Sequence, residues 1–123
     1  MLTVESKTAP ASLDTARHAV NVASDKLAAD IVMLDLRGVA SFTDFFVVLT
    51  VESPRQMDSL AQEIESEVEE LGASLHHREG TPHSGWMLLD FSDVIVHLFR
   101  PESREFYDIE DAWSEATEAV RIQ

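Results

Sequence analysis

A chain of 123 residues holds one ordinary domain, which excludes an enzyme built from separate cofactor and substrate lobes. Its 45% hydrophobic and 26% charged residues belong to a globular domain, not to a collagenous, low-complexity or disordered chain. The absence of cysteine removes disulfides, thiol catalysis and thiolate metal sites and makes a cytoplasmic location the expectation, while nine basic against 23 acidic residues, a net charge of −14, disfavour binding to a phosphate backbone.

Residues 1–11 mix Thr, Ser, Lys, Glu, Ala and Pro10 without periodicity and read as a flexible N-terminus, leaving 12–123 as the single domain. From Ser12, Leu13, Ala16, Val20, Ala23 and Leu27 recur at steps of three and four, which predicts an amphipathic helix with a shallow, alanine-rich stripe. Residues 31–36 and 45–51 are apolar runs that read as strands buried on both faces. The connection from Gly38 to Asp44 carries hydroxyls and a carboxylate able to organise its backbone.

Ser53, Pro54 and Gln56 then spell a helix start, with serine as cap, proline at the first helical position and glutamine three residues after the cap. Met57, Leu60, Ala61, Ile64, Val68 and Leu71 supply the apolar stripe and Gly72 the stop. The acidic outer face of this helix reads as a solvated surface. Residues 73–78 predict a short strand running parallel to the strand before the helix. Residues 86–90 and 93–99 read as an antiparallel hairpin closed through Phe91 and Ser92, and Pro101 ends its second strand. Asp108 is expected to cap a last helix on which Ile109, Ala112, Trp113, Ala116 and Val120 share a face. The alternation predicts an α+β domain with a mixed sheet of about five strands flanked by helices.

Pairing Asp90 with Asp93 places Leu88 opposite Ile95 and Trp86 opposite His97. One face of the hairpin then holds Met87, Leu89, Phe91, Val94, Val96 and Leu98, wholly apolar, and belongs against helices. The other holds Trp86, Leu88, Asp90, Asp93, Ile95, His97 and Phe99. That mixture suits a surface covered only when a partner arrives, and equally a core face with His97 hydrogen-bonded beneath a further helix.

At these segments the chain resembles the ribosomal silencing factor family, also called the iojap family. The resemblance rests on Leu34-Asp35-Leu36-Arg37-Gly38, Ser41-Phe42-Thr43-Asp44-Phe45-Phe46-Val47-Val48, Ser53 through Gln56, Gly85-Trp86-Met87-Leu88-Leu89-Asp90, Asp93-Val94-Ile95-Val96-His97-Leu98-Phe99, and Arg104-Glu105-Phe106-Tyr107-Asp108-Ile109-Glu110 followed by Trp113. It implies a nucleotidyltransferase-like fold, frequent homodimerisation and a function without chemistry. In that function the protein binds a basic large-subunit ribosomal protein where the small subunit docks, blocks subunit joining and represses translation under nutrient limitation. No cofactor, metal, membrane or direct nucleic-acid contact is required. The partner-facing residues it implies are Trp86, Leu88, Asp90, His97 and Phe99. Where the family has a glycine-threonine-serine stretch before the second helix, this chain departs with Val51-Glu52-Ser53-Pro54.

Arg104, Phe106, Tyr107 and Asp108 form a second dense cluster. It reads as a structural corner, with Asp108 capping the last helix and Arg104 meeting a carboxylate, or as a site in which Tyr107 stands at the rim of the partner surface. Two other functional classes compete with silencing. A metal-dependent nucleotidyltransferase would need Asp35, Asp44, Asp90 and Asp93 to converge, without the Gly-Ser turn and paired carboxylates such enzymes present. A homodimeric scaffold would use the hairpin face as its seam. His76, His77 and His83 read as surface residues rather than ligands, because adjacent strand residues point to opposite faces.

Overall fold

The computed structural model describes residues 10–123. Most of the terminal segment predicted as flexible therefore lies outside the described residues. Helix α1 (Ser12–Asp25) buries Thr15, Ala16, Ala19, Val20, Val22 and Ala23, small side chains that let it lie close on the sheet. It stops two residues short of Leu27, which is not on the buried stripe: its side chain is 84% exposed. The N–H of Leu27 bonds the Ser24 carbonyl and that of Ala28 bonds the Ala23 carbonyl, the Schellman pattern, with Leu27 in the left-handed position at φ 65°. Glycine is the residue suited to that conformation, so Leu27→Gly is expected to stabilise the domain by roughly 0.5–1 kcal/mol. Urea denaturation checks it, and an unchanged or lower midpoint refutes it.

Strands β1 (Ala29–Asp35) and β2 (Phe45–Thr50) follow, antiparallel to each other. A bulge lies between Ala29 and Val32, where Asp30 has φ 47°. Helix α2 (Pro54–Leu71) starts as its sequence predicts, with Ser53 Oγ accepting from the Gln56 N–H at 3.0 Å and Gly72 left-handed at the stop. Gln56 Oε1 reaches back to the N–H of Glu52 at 2.7 Å, one residue before the cap. Residues 51–54 reach the helix with no left-handed residue, so this turn has no need of glycine.

Strand β3 (His77–Glu79) is shorter and later than the predicted 73–78 and lies at the exposed edge of the sheet. It runs in the direction of β2, as expected of a crossover, but two strands separate them. After a single 3-10 turn, Pro82–Ser84, come β4 (Trp86–Asp90) and β5 (Val94–Phe99). Their register is Trp86 to Phe99, Leu88 to His97 and Asp90 to Ile95, two residues from the predicted pairing. Because the side-chain period is two, the shift leaves both faces as read from the sequence. Ser92, with φ 78°, turns the chain, and Asp90 Oδ1 accepts its N–H at 2.7 Å.

The C-terminal quarter departs most from expectation. Pro101 both ends β5 and opens helix α3 (Pro101–Tyr107), which meets the single turn of α4 (Ile109–Ala112) at Asp108. Asp108 makes no side-chain cap; it is a left-handed joint whose carbonyl accepts from Asp111 and Ala112. The predicted last helix does not continue. Residues Thr117–Ile122 form strand β6, antiparallel to β1. Without it β1, whose Ile31, Val32, Met33 and Leu34 are all buried, would be an unpaired apolar edge. The sheet thus has six strands, not about five, in the order β3-β4-β5-β2-β1-β6, with β2 and β5 parallel and the other pairs antiparallel.

Helices α1 and α2 cover one face, where Met87, Leu89, Phe91, Val94, Val96 and Leu98 join the larger core as predicted. The opposite face carries Val32, Leu34, Phe46, Val48, Ile95 and Phe99, with Trp86, Leu88, Ile109 and Trp113 packed at its margins.

Candidate functional site

The second face of the sheet is floored by aromatic rings. Phe99 lies directly across the β4–β5 ladder from Trp86, and the two rings stack with centroids 4.9 Å apart at 27°. His97, one step along the same face, lies 5.9 Å from the indole and 4.5 Å from Phe46 in an edge-on contact. Tyr107, at the end of α3, lies against both the indole, at 4.6 Å, and Phe99, at 6.5 Å, and Phe106 abuts Tyr107 at 5.0 Å. In the other direction Phe46 meets Trp113 at 5.8 Å, and Trp113 meets Phe42 at 5.7 Å. The rings form one continuous ridge drawn from residues far apart in the chain.

The six residues assigned to the partner surface divide by depth. Trp86, Leu88 and Asp90 are half-buried, and Tyr107 is 49% exposed. His97 is only 4% exposed and Phe99 is fully buried, so neither presents a surface in the free protein. The two readings of this face divide along it: His97, hydrogen-bonded to Trp86, and Phe99 are core residues, whereas Trp86, Leu88 and Tyr107 keep exposed surface. Phe106, 80% exposed, and Phe42 extend the apolar rim, and the sequence reading gave neither of them a place on that surface. A run of aromatic residues cannot reveal by itself that α3 and the β1–β2 loop converge on the same ridge.

Polar groups on the face are few and specific. The Trp86 indole N–H donates to His97 Nδ1 at 3.2 Å. Burial among these rings pushes the His97 pKa down to about 3, so the imidazole is neutral at physiological pH. Beside Trp86 a groove of about 170 Å³ is lined by Glu79, Gly80, Trp86 and Leu88. Gly80 is required there, since it has φ 84° and a Cβ would collide with the Trp86 carbonyl oxygen.

The corner around α3 is held by Arg104. Its Nε donates to Glu110 Oε1 at 2.8 Å, and its Nη1 donates to the Asp30 carbonyl and to Thr50 Oγ1, each at 2.8 Å. The structural role predicted for Arg104 is present, with Glu110 as its carboxylate. The Arg104 hydrogen bond holds the Glu110 carboxyl below the usual range against the opposing effect of burial. Tyr107 projects from the same anchored helix and keeps an exposed surface.

Of the four aspartates weighed as metal ligands, three have partners of their own. Asp35 pairs with Arg37 at 2.8 Å, Asp44 accepts from Ser12 Oγ at 2.7 Å, and Asp90 holds the hairpin turn. Among the described residues no three histidine or acidic side chains gather to hold a metal ion. His77 pairs with Glu79 at 2.7 Å on the edge strand, and His76 is exposed. No described helix is long and apolar enough to cross a membrane.

Comparison with known proteins places this architecture. The family described as "Ribosomal silencing factor during starvation" matches residues 9–123. A protein of Halalkalibacterium halodurans named ribosomal silencing factor is 34% identical over 98 residues, covering 80% of this chain and 84% of the relative. The chloroplastic protein Iojap of Zea mays is 35% identical over 115 residues, covering 94% of this chain and 50% of its own. A crystal structure of a Chromobacterium violaceum protein superposes with a TM-score of 0.81 at 30% identity, covering 90% of this chain and 94% of the other.

Proposed function

The chain belongs to the ribosomal silencing factor family, and from that premise we propose that it represses translation by occupying a large-subunit ribosomal protein where the small subunit would dock. The observation that carries this reading is the apolar rim of Trp86, Leu88, Phe106 and Tyr107, supported from below by buried rings. Large amphipathic aromatics fixed over a rigid floor are the residues that anchor protein interfaces. A net charge of −14 repels RNA and draws the chain toward a basic protein, so charge raises the encounter rate and the aromatic rim retains the partner.

The action is steric and needs no bond to be made or broken. A nucleotidyltransferase-like fold for the mixed sheet, work in the cytoplasm and pairing of free chains into a homodimer complete the proposal. Sucrose-gradient sedimentation with purified subunits tests it: the protein migrates with the large subunit and its addition reduces joined ribosomes. Trp86→Ala is expected to weaken that co-sedimentation by at least about tenfold while circular dichroism stays unchanged. A folded Trp86→Ala protein that binds like the wild type removes the anchor from this reading.

A further inference from the structure

We infer that His97 is a positioning residue for the partner surface: it holds the Trp86 indole in its outward-facing orientation by accepting the indole N–H, without touching the partner itself. The inference rests on the reading of Trp86 as an anchor. His97 Nδ1 is the acceptor, at 3.2 Å, so the proton of the neutral ring resides on Nε2. That nitrogen is buried and has no hydrogen-bond partner. An unpaired buried N–H opposes folding, and the surroundings are Phe46 edge-on at 4.5 Å, Phe99 nearly parallel at 6.2 Å and the indole. Packing alone therefore favours phenylalanine at position 97. What an imidazole supplies there and a phenyl ring does not is a fixed acceptor facing the indole.

The indole has reason to need one. Stacking on Phe99 and contact with Tyr107 restrain the plane of the Trp86 ring, but neither contact fixes which way its N–H points. A directional hydrogen bond does. With the acceptor gone, the N–H of this half-buried side chain turns toward water, and the apolar edge offered to a partner changes. The histidine thus gives up folding stability for a defined binding surface.

The test uses the full chain with His97→Phe, and His97→Asn as the variant that restores an acceptor close to the Nδ1 position. Nitrogen–proton NMR follows the Trp86 indole N–H, with that of Trp113 as internal reference, and sedimentation follows binding to purified large subunits. His97→Phe is expected to be at least as resistant to urea as the wild type, to show a displaced Trp86 resonance exchanging about tenfold faster, and to bind about tenfold more weakly. His97→Asn moves resonance and binding back toward the wild type. An undisturbed Trp86 resonance in His97→Phe overturns the inference, as does wild-type binding by a His97→Phe protein whose indole has been released. A wild-type chain that fails to sediment with the large subunit instead overturns the anchor reading beneath it, and that result is read without any His97 variant.

Discussion

Replacing Arg104 with alanine is expected to lower the unfolding free energy by about 3 kcal/mol. Its side chain is mostly buried and serves three elements at once, because α3 delivers it to the end of β2 at Thr50, to the bulge of β1 at Asp30 and to Glu110 on α4. The bulge takes Asp30 out of the ladder with β2, and Arg104 supplies a donor for its carbonyl. Removing the guanidinium leaves that carbonyl and the buried Thr50 hydroxyl without this donor, and leaves Glu110 with only Arg121 at 3.5 Å. Lysine has a single charged nitrogen in place of the planar fork, so Arg104→Lys is expected to recover less than half of the loss. Urea denaturation of both variants decides the point; a loss below about 1 kcal/mol for Arg104→Ala contradicts this account.

The second large effect is acid destabilisation through His97. Its pKa is about 3 in the folded chain against about 6.5 when unfolded, so between these values the unfolded chain binds the extra proton. Stability from this group is therefore complete above pH 6.5 and drains away as pH falls toward 3. The loss reaches about 2 kcal/mol by pH 5 and is on the order of 4 kcal/mol at pH 3. The rings that face the imidazole, Phe46, Trp86 and Phe99, do not titrate in this range. His97→Phe should flatten the stability profile between pH 6.5 and 5, and equal slopes in variant and wild type would rule His97 out as the source. Glu110 adds to the decline only at lower pH, since its depressed pKa stabilises the fold above the ordinary carboxylate range and is lost below it.

Much of the core was legible because its signals are local. Ser53, Pro54 and Gly72 punctuate α2 by cap chemistry that tertiary contacts do not override, and the β-branched run of β2 is buried along its whole length. The hairpin faces survived a register error because the error was even. Residues Thr117–Ile122 were misread for a different reason: only Val120 is even half-buried, so the segment carries no alternation to mark it as a strand, and its pairing with β1 decides its conformation. The same long-range cause hid the burial of His97 and Phe99. A hairpin sequence states which side chains share a face, whereas the groups packed over that face, Tyr107 on α3 and Ile109 and Trp113 beyond it, arrive through long-range contacts.

The pairing of β6 with β1 joins residues more than eighty positions apart in the chain. During synthesis, a nascent chain that has not yet emerged as far as residue 117 has β1 unpaired along one side, with its main-chain donors and acceptors open to other polypeptides. Maturation of the sheet is therefore sealed late, and a chain truncated before that segment is an aggregation hazard even though every residue of the aromatic ridge has already been made.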